Sequence, residues 1–180
     1  MTNIYREFFM SLSLASLVRN AALVGAVFAM AGEAIAAPTA VARIKDWVVF
    51  TDQIDGDTVC YAATEATDKA PSSAEHGDVW FYVTNWKSGR ARAQPSLKVG
   101  YDLRKDLAPS AQIGRSRWTL FAAANEAFAR DEDDPRIVRG LKRGSELRVE
   151  AVSARDTQVA YHFSLAGSSS AIDRAASACR

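Results

Sequence analysis

Histidine and cysteine are scarce in this sequence, with two of each among 180 residues. The scarcity excludes several chemistries. Cys60 and Cys179 form no C-x-x-C, and His76 and His162 form no H-x-x-x-H, so no thiolate or imidazole metal site follows from local spacing. There is no G-x-S-x-G turn to present a serine, and neither histidine adjoins one. A glycine-rich phosphate loop is missing as well. No catalytic residue, metal ligand or cofactor site is therefore expected. An excess of either charge sign is also lacking: 22 Lys and Arg stand against 21 Asp and Glu, a net charge of +1. A near-neutral chain has no overall electrostatic attraction to nucleic acid or anionic lipid. Finally, the uncharged apolar run Ala21–Gly32 falls well short of the roughly 20 residues that span a bilayer as a helix.

That short run has another reading. It follows Arg6 and Arg19 and precedes Ala34-Ile35-Ala36, so a positive region, an apolar core and a small-x-small motif occur in order. This is the pattern of a secretory signal peptide. Cleavage is expected after Ala36, because one residue later Pro38 would adjoin the scissile bond. Met10 offers a second start that would give a leader of more usual length. No cysteine follows the cleavage point, which excludes a lipoprotein anchor there. Residues 37–180 are then one domain, periplasmic or secreted, with no transmembrane segment after the leader is removed. Arg6, Arg19, Glu7 and Glu33 leave with the leader, so the balance of charge does not change.

In an oxidising compartment an even cysteine count favours pairing. Cys60 lies in the strand-like segment VCYAA and Cys179 is next to last. Their disulfide would staple the C-terminus to an early strand.

Most of the remainder reads as short strands. Val41–Thr51 and Thr58–Thr64 flank Asp55-Gly56, a strong hairpin-turn signal. Residues 65–78 are polar, contain Pro71 and Gly77, and read as a long surface loop. Val79–Trp86, VWFYVTNW, is apolar on both parities, which implies burial on both sides or one face that meets a partner. Pro95–Leu103 reads as a strand with Gly100 at a bulge or close approach. After a connector over 105–114, Ser116–Ala123 reads as one strand. Pro135 to Gly144 has helical spacing at Ile137, Val138 and Leu141, with Asp131–Asp134 ahead of it at the positive helix end. Glu146–Val152 and Gln158–Leu165 are further strands, and Ser168–Cys179 is an amphipathic helix capped by one of Ser168, Ser169 and Ser170. Many short strands with turn signals between them argue for an antiparallel β-sandwich with one or two short peripheral helices.

Trp80, Tyr82 and Trp86 make the candidate interaction surface, and together with Trp118 they could form a ligand platform. His162, within Tyr161-His162-Phe163, reads as an outward or hydrogen-bonded strand residue. The Asp52–Asp57 stretch lacks the ligand spacing of a calcium loop and reads as a turn. Three functions stay open: binding an unknown protein or envelope component, hydrolysis by carboxylates near the aromatic strand, and a structural or stress-related role.

Several segments recur together in a known family. They are Val59-Cys60-Tyr61-Ala62-Ala63-Thr64, Val79 to Asn85, Val99-Gly100-Tyr101, Ile113-Gly114, Leu141 to Ser145 with Leu147-Arg148-Val149, and Phe163-Ser164-Leu165 with Ala171 and Cys179. In this order and spacing they resemble the invasion-associated locus B family of alphaproteobacterial envelope proteins. The resemblance implies an immunoglobulin-like form of the sandwich, a periplasmic or surface location, cysteines at matching places and, in pathogenic members, a link to host-cell invasion. It brings no catalytic residues. The chain departs from the family in lacking a further cysteine pair near the first strands. It also has Ala127-Phe128 where Ala-Trp is common, and Arg155-Asp156-Thr157 where a Gly-Thr element is usual.

Overall fold

The computed structural model describes residues 37–180. The leader and its cleavage motif lie outside the described residues. The run expected as one strand over Val41–Thr51 is two, β1 (Thr39–Ile44) and β2 (Trp47–Ile54), because Lys45 turns the chain at a positive φ of 53°. β2 then pairs with β3 (Asp57–Glu65) around Asp55-Gly56, whose φ values of 52° and 79° are those of a type I′ turn. The loop expected over 65–78 is shorter than it reads. It contains β4 (Asp68–Ala70), which pairs with a later strand, and His76, which is buried despite its polar neighbours.

The aromatic run is β5 (Trp80–Trp86), followed by β6 (Gln94–Lys98). Gly100 is a close-approach point: a Cβ there would lie 3.1 Å from the His76 carbonyl oxygen. The stretch 105–114, expected as a connector, ends in β7 (Ser110–Ile113). Ser116–Ala123 is not one strand. It divides into β8 (Ser116–Thr119) and β9 (Phe121–Ala123), which belong to different sheets, with buried Leu120 at the crossing. β10 (Glu126–Phe128) follows, too short to show a periodicity of its own. The helix α1 (Asp134–Arg143), strands β11 (Glu146–Val152) and β12 (Gln158–Ser164), and helix α2 (Ser168–Ala178) complete the chain within a residue or two of expectation.

The protein is thus mainly β, with two antiparallel sheets in a sandwich-like arrangement. Sheet A has the order β1-β2-β3-β5-β6-β10-β9 and sheet B the order β4-β12-β11-β7-β8. Alternation along each strand sends one parity inward: Trp47 and Val49, Ala62, Phe81 and Val83 from sheet A, and Leu147, Val149, Val159, Tyr161 and Phe163 from sheet B. Phe81 meets Phe163 across the sandwich with ring centroids 5.7 Å apart, and the Trp47 indole N–H donates to the Ser164 carbonyl at 3.0 Å.

The helices do more than line the periphery. Ile137 and Leu141 of α1 and Ala171, Ile172 and Ala175 of α2 are fully or almost fully buried in the same core. None of the three serines caps α2 through its side chain. Its N-cap is Gly167, at a φ of +93°, and Ser168 instead turns inward, its hydroxyl shared between the carbonyl oxygens of Leu141 at 2.7 Å and Leu165 at 2.8 Å.

At the start of α1, Asp134 behaves differently from a solvated capping carboxylate. It is only 8 % exposed, and one carboxyl oxygen has no hydrogen-bond partner among the described residues. Burial, and then the charges of Asp131 and Asp133, push its pKa up to about 7. These effects outweigh the favourable helix end. A pKa above the unfolded value means that the group supports folding when protonated. That support is complete below about pH 4 and is lost as pH rises through about 7. Wild type should therefore lose stability relative to Asp134→Asn between pH 4 and pH 8, by about 1–2 kcal/mol after allowing for solvent screening. Urea unfolding of both proteins across that range measures it. A pH-independent difference would show that Asp134 ionises normally.

Candidate functional site

Two sheet faces point away from the core, and their chemistry differs. The outer face of sheet B carries Gln112, Arg117, Glu146, Arg148, Glu150 and His162, joined by ion pairs such as Arg117–Glu150 at 2.5 Å and Arg148–Glu150 at 2.8 Å. His162 lies there as expected, its Nδ1 3.0 Å from a Glu146 carboxyl oxygen. The outer face of sheet A is aromatic. Phe50, Tyr61, Trp80, Tyr82, Trp86, Phe121 and Phe128 lie on it, all half-buried except Phe121, which is 51 % exposed.

Strand register assembles this face. Trp80, Tyr82 and Trp86 share the outward parity of β5, opposite to buried Phe81 and Val83. Phe50 stands directly across from Tyr61, which stacks on it at 5.2 Å. Tyr61 meets Tyr82 edge-on at 5.6 Å, and Tyr82 lies 6.4 Å from Trp80. On the far side Phe128 and Phe121 pack at 5.8 Å. The row Tyr82–Ser96–Phe128 places a small residue between two rings, which leaves a trough with aromatic walls. The resulting groove encloses about 500 Å³ and is lined by Tyr61, Tyr82, Trp86 and Phe128 with Arg90 and Gln94 among the polar groups. The Arg90 guanidinium sits 3.4 Å from the Trp86 ring centroid, a cation–π contact that holds a charged donor at the rim.

Burial, then Asp52, pushes the Tyr61 phenol up to about 12; burial, then Tyr61, Glu126 and Asp78, does the same to Tyr82. Both hydroxyls stay protonated and able to donate throughout the physiological range. Asp52 and Glu126 also line the groove, but β2 and β10 are four strand spacings apart. At about 4.8 Å per spacing that is roughly 19 Å, too far for a carboxylate pair acting on one bond. Glu126 is in addition held by Lys98 at 3.2 Å.

The expected surface residues Trp80, Tyr82 and Trp86 are therefore brought together on one face, while Trp118 is not. It lies on β8 in sheet B, against the backbone of α1 at Gly140. Phe50, Tyr61, Phe121 and Phe128 escaped sequence reasoning. For the first two a signal existed: the two-residue turn at Asp55-Gly56 sets Ile54 opposite Asp57, and counting outward sets Phe50 opposite Tyr61.

A separate polar cluster is internal. His76 Nε2 lies 2.9 Å from the Pro71 carbonyl, which only accepts, so Nε2 carries the proton. In neutral His76, Nδ1 then accepts from the Tyr161 hydroxyl at 3.0 Å, and Tyr161 in turn accepts from Tyr101. Burial raises the pKa of both phenols. The chain of bonds satisfies buried polar groups and ties residues 71–76 to sheet B.

Cys60, on the inner parity of β3, is joined to Cys179 in a disulfide with an S–S distance of 2.06 Å. Among the described residues no helix is long and apolar enough to cross a membrane, and no group of three or more His, Cys, Asp or Glu is placed to hold a metal ion.

Comparison with known proteins adds one match. The family described as invasion associated locus B protein matches residues 47–176, which runs from the start of β2 nearly to the end of α2. No curated protein and no solved structure matches the chain.

Proposed function

The chain belongs to the invasion-associated locus B family, and from that premise we propose that it is an exported envelope protein without catalytic activity that docks a partner protein on the aromatic face of sheet A. The observation that carries this reading is that face itself: seven Phe, Tyr and Trp side chains outward on one sheet and, among the described residues, none outward on the strands of the other. Trp, Tyr and Arg are the residues that dominate protein–protein binding energy, and Tyr61, Tyr82, Trp86 and Arg90 sit side by side here. The leader pattern and the disulfide, which needs an oxidising compartment to persist, support export. The family description supports a role in host association for the docked complex.

A photo-crosslinker placed at Tyr82 in intact cells should trap one defined protein. Purified Tyr82→Ala/Trp86→Ala should then bind that protein at least about 30-fold more weakly, the loss of one or two central anchors. Gln112→Ala, on the charged face of sheet B, should bind it normally. Trapping the same protein equally well from position 112 would remove the aromatic face from the interaction. N-terminal sequencing of the protein from the periplasmic fraction should begin at Ala37, and an intact leader there would refute the cleavage.

A further inference from the structure

The near-zero net charge conceals a segregation. Arg136, Arg139 and Arg143 lie at i, i+3 and i+7 on α1, and so share one helix face. The β7–β8 hairpin packs beside that face. A Cβ at Gly140 would lie 3.2 Å from both Ile113 and Trp118, so the hairpin comes almost onto the helix backbone. Arg117 of β8 and Arg148 of β11 approach the same region. Two adjoining clefts result. One, of about 490 Å³, is lined by Arg117, Arg136, Arg139 and Arg143, with no carboxylate in its wall among the described residues. The second, of about 670 Å³, shares Ile113, Gly140 and Arg143 with it and adds Arg148 and Glu146.

The carboxylates nearby do not neutralise this cluster. Asp133 pairs with Arg136 at 3.0 Å, and the single Glu150 serves both Arg117 and Arg148. Glu146 faces His162. Arg139 and Arg143 enter no ion pair among the described residues, although their neighbour Lys142 is paired with Asp173. Five guanidinium groups thus stand against three nearby carboxylates; that excess of positive charge is unfavourable in the free protein, and an anionic ligand would relieve it.

We propose that these clefts form a binding site for clustered phosphate groups. Guanidinium forks match phosphate oxygens two at a time. Along α1, Arg136 to Arg143 spans about 10 Å at 1.5 Å per residue, so the arrangement suits several phosphates close together rather than one. Such groups occur on an anionic lipid surface and on soluble polyphosphates. The site lies on α1, β7, β8 and β11, away from the aromatic residues of sheet A, and does not depend on them.

Binding is to be measured with two probes: vesicles of phosphatidylcholine containing phosphatidylglycerol, against pure phosphatidylcholine vesicles, and inorganic pyrophosphate by calorimetry. Arg139→Gln/Arg143→Gln removes only unpaired exposed cations and should weaken binding about tenfold or more. Arg43→Gln/Lys87→Gln makes the same charge change elsewhere and should leave binding nearly intact. Loss of vesicle binding alone identifies a lipid headgroup as the source; loss of pyrophosphate binding alone identifies a soluble phosphate. Equal weakening by both double variants would reduce the effect to net charge and overturn the site. So would binding of neither probe, and equally tight binding of citrate would overturn the assignment to phosphate.

Discussion

Breaking the Cys60–Cys179 disulfide is expected to lower the unfolding free energy by about 4–5 kcal/mol, the largest effect of any single bond in the fold. The two cysteines are 119 residues apart. In the unfolded chain their link closes a loop holding most of the domain, and the entropy it removes grows with the logarithm of loop length, reaching about 5 kcal/mol at this size. Small domains have only about 5–15 kcal/mol in total, so this is a third or more of it. The measurement is guanidinium unfolding of the oxidised protein, the reduced protein and Cys60→Ala/Cys179→Ala. Alanine is the right replacement at position 60, where the side chain is fully buried and a serine hydroxyl would be left without a partner. Midpoints should fall together for the reduced and doubly substituted proteins, with a steeper denaturant dependence because the unfolded chain expands. An unchanged midpoint would mean that the link contributes nothing, and alkylation of the untreated protein would mean that it does not form.

The staple was legible from two scarce residues, while much of the surface it supports was not. The reason lies in what local patterns encode. The parity of Trp80, Tyr82 and Trp86 is visible in seven consecutive residues, because alternation is a property of one strand. Phe121 and Phe128 sit in strands of three residues, too short to show alternation, and they reach the aromatic face only through pairing with each other and with β6. His76 reads as a loop residue because its partners, Tyr161 and the Pro71 carbonyl, depend on β4 joining β12. The arginine clefts illustrate the same limit for charge. The helical spacing of Arg136, Arg139 and Arg143 is local, but their gathering with Arg117 and Arg148 is tertiary, and a net charge of +1 averages it away. In physical terms, single-strand and single-helix periodicities are written in neighbours, whereas sites assembled across a sheet are written in register.

Gly167→Ala is expected to cost about 3 kcal/mol or more, and it tests the other end of α2. Gly167 holds the helix N-cap at a φ of +93°, and a Cβ there would lie 2.3 Å from the Ile44 carbonyl oxygen and 3.0 Å from its carbon. Both obstacles are backbone at the end of β1, so no side chain can swing aside. Left-handed backbone alone costs a non-glycine residue about 1–2 kcal/mol, and displacing β1 or the helix start adds the remainder. Gly56→Ala separates the two contributions. Gly56 has a similar φ of +79° but open space around its Cβ, so it should show only the conformational part, near 1 kcal/mol. For a domain of this size the Gly167 variant should melt roughly 10 °C lower than wild type. Helix α2 packs against β2 and β3, whose other side carries Phe50 and Tyr61, so Gly167 and Cys179 clamp the helix beneath the aromatic face from its two ends. Because both act on one helix, their costs should not add: in the reduced protein, where α2 can shift to relieve the clash, Gly167→Ala should cost less than in the oxidised protein. Equal costs in the two states would mean that the helix is positioned by its buried Ala171, Ile172 and Ala175 alone.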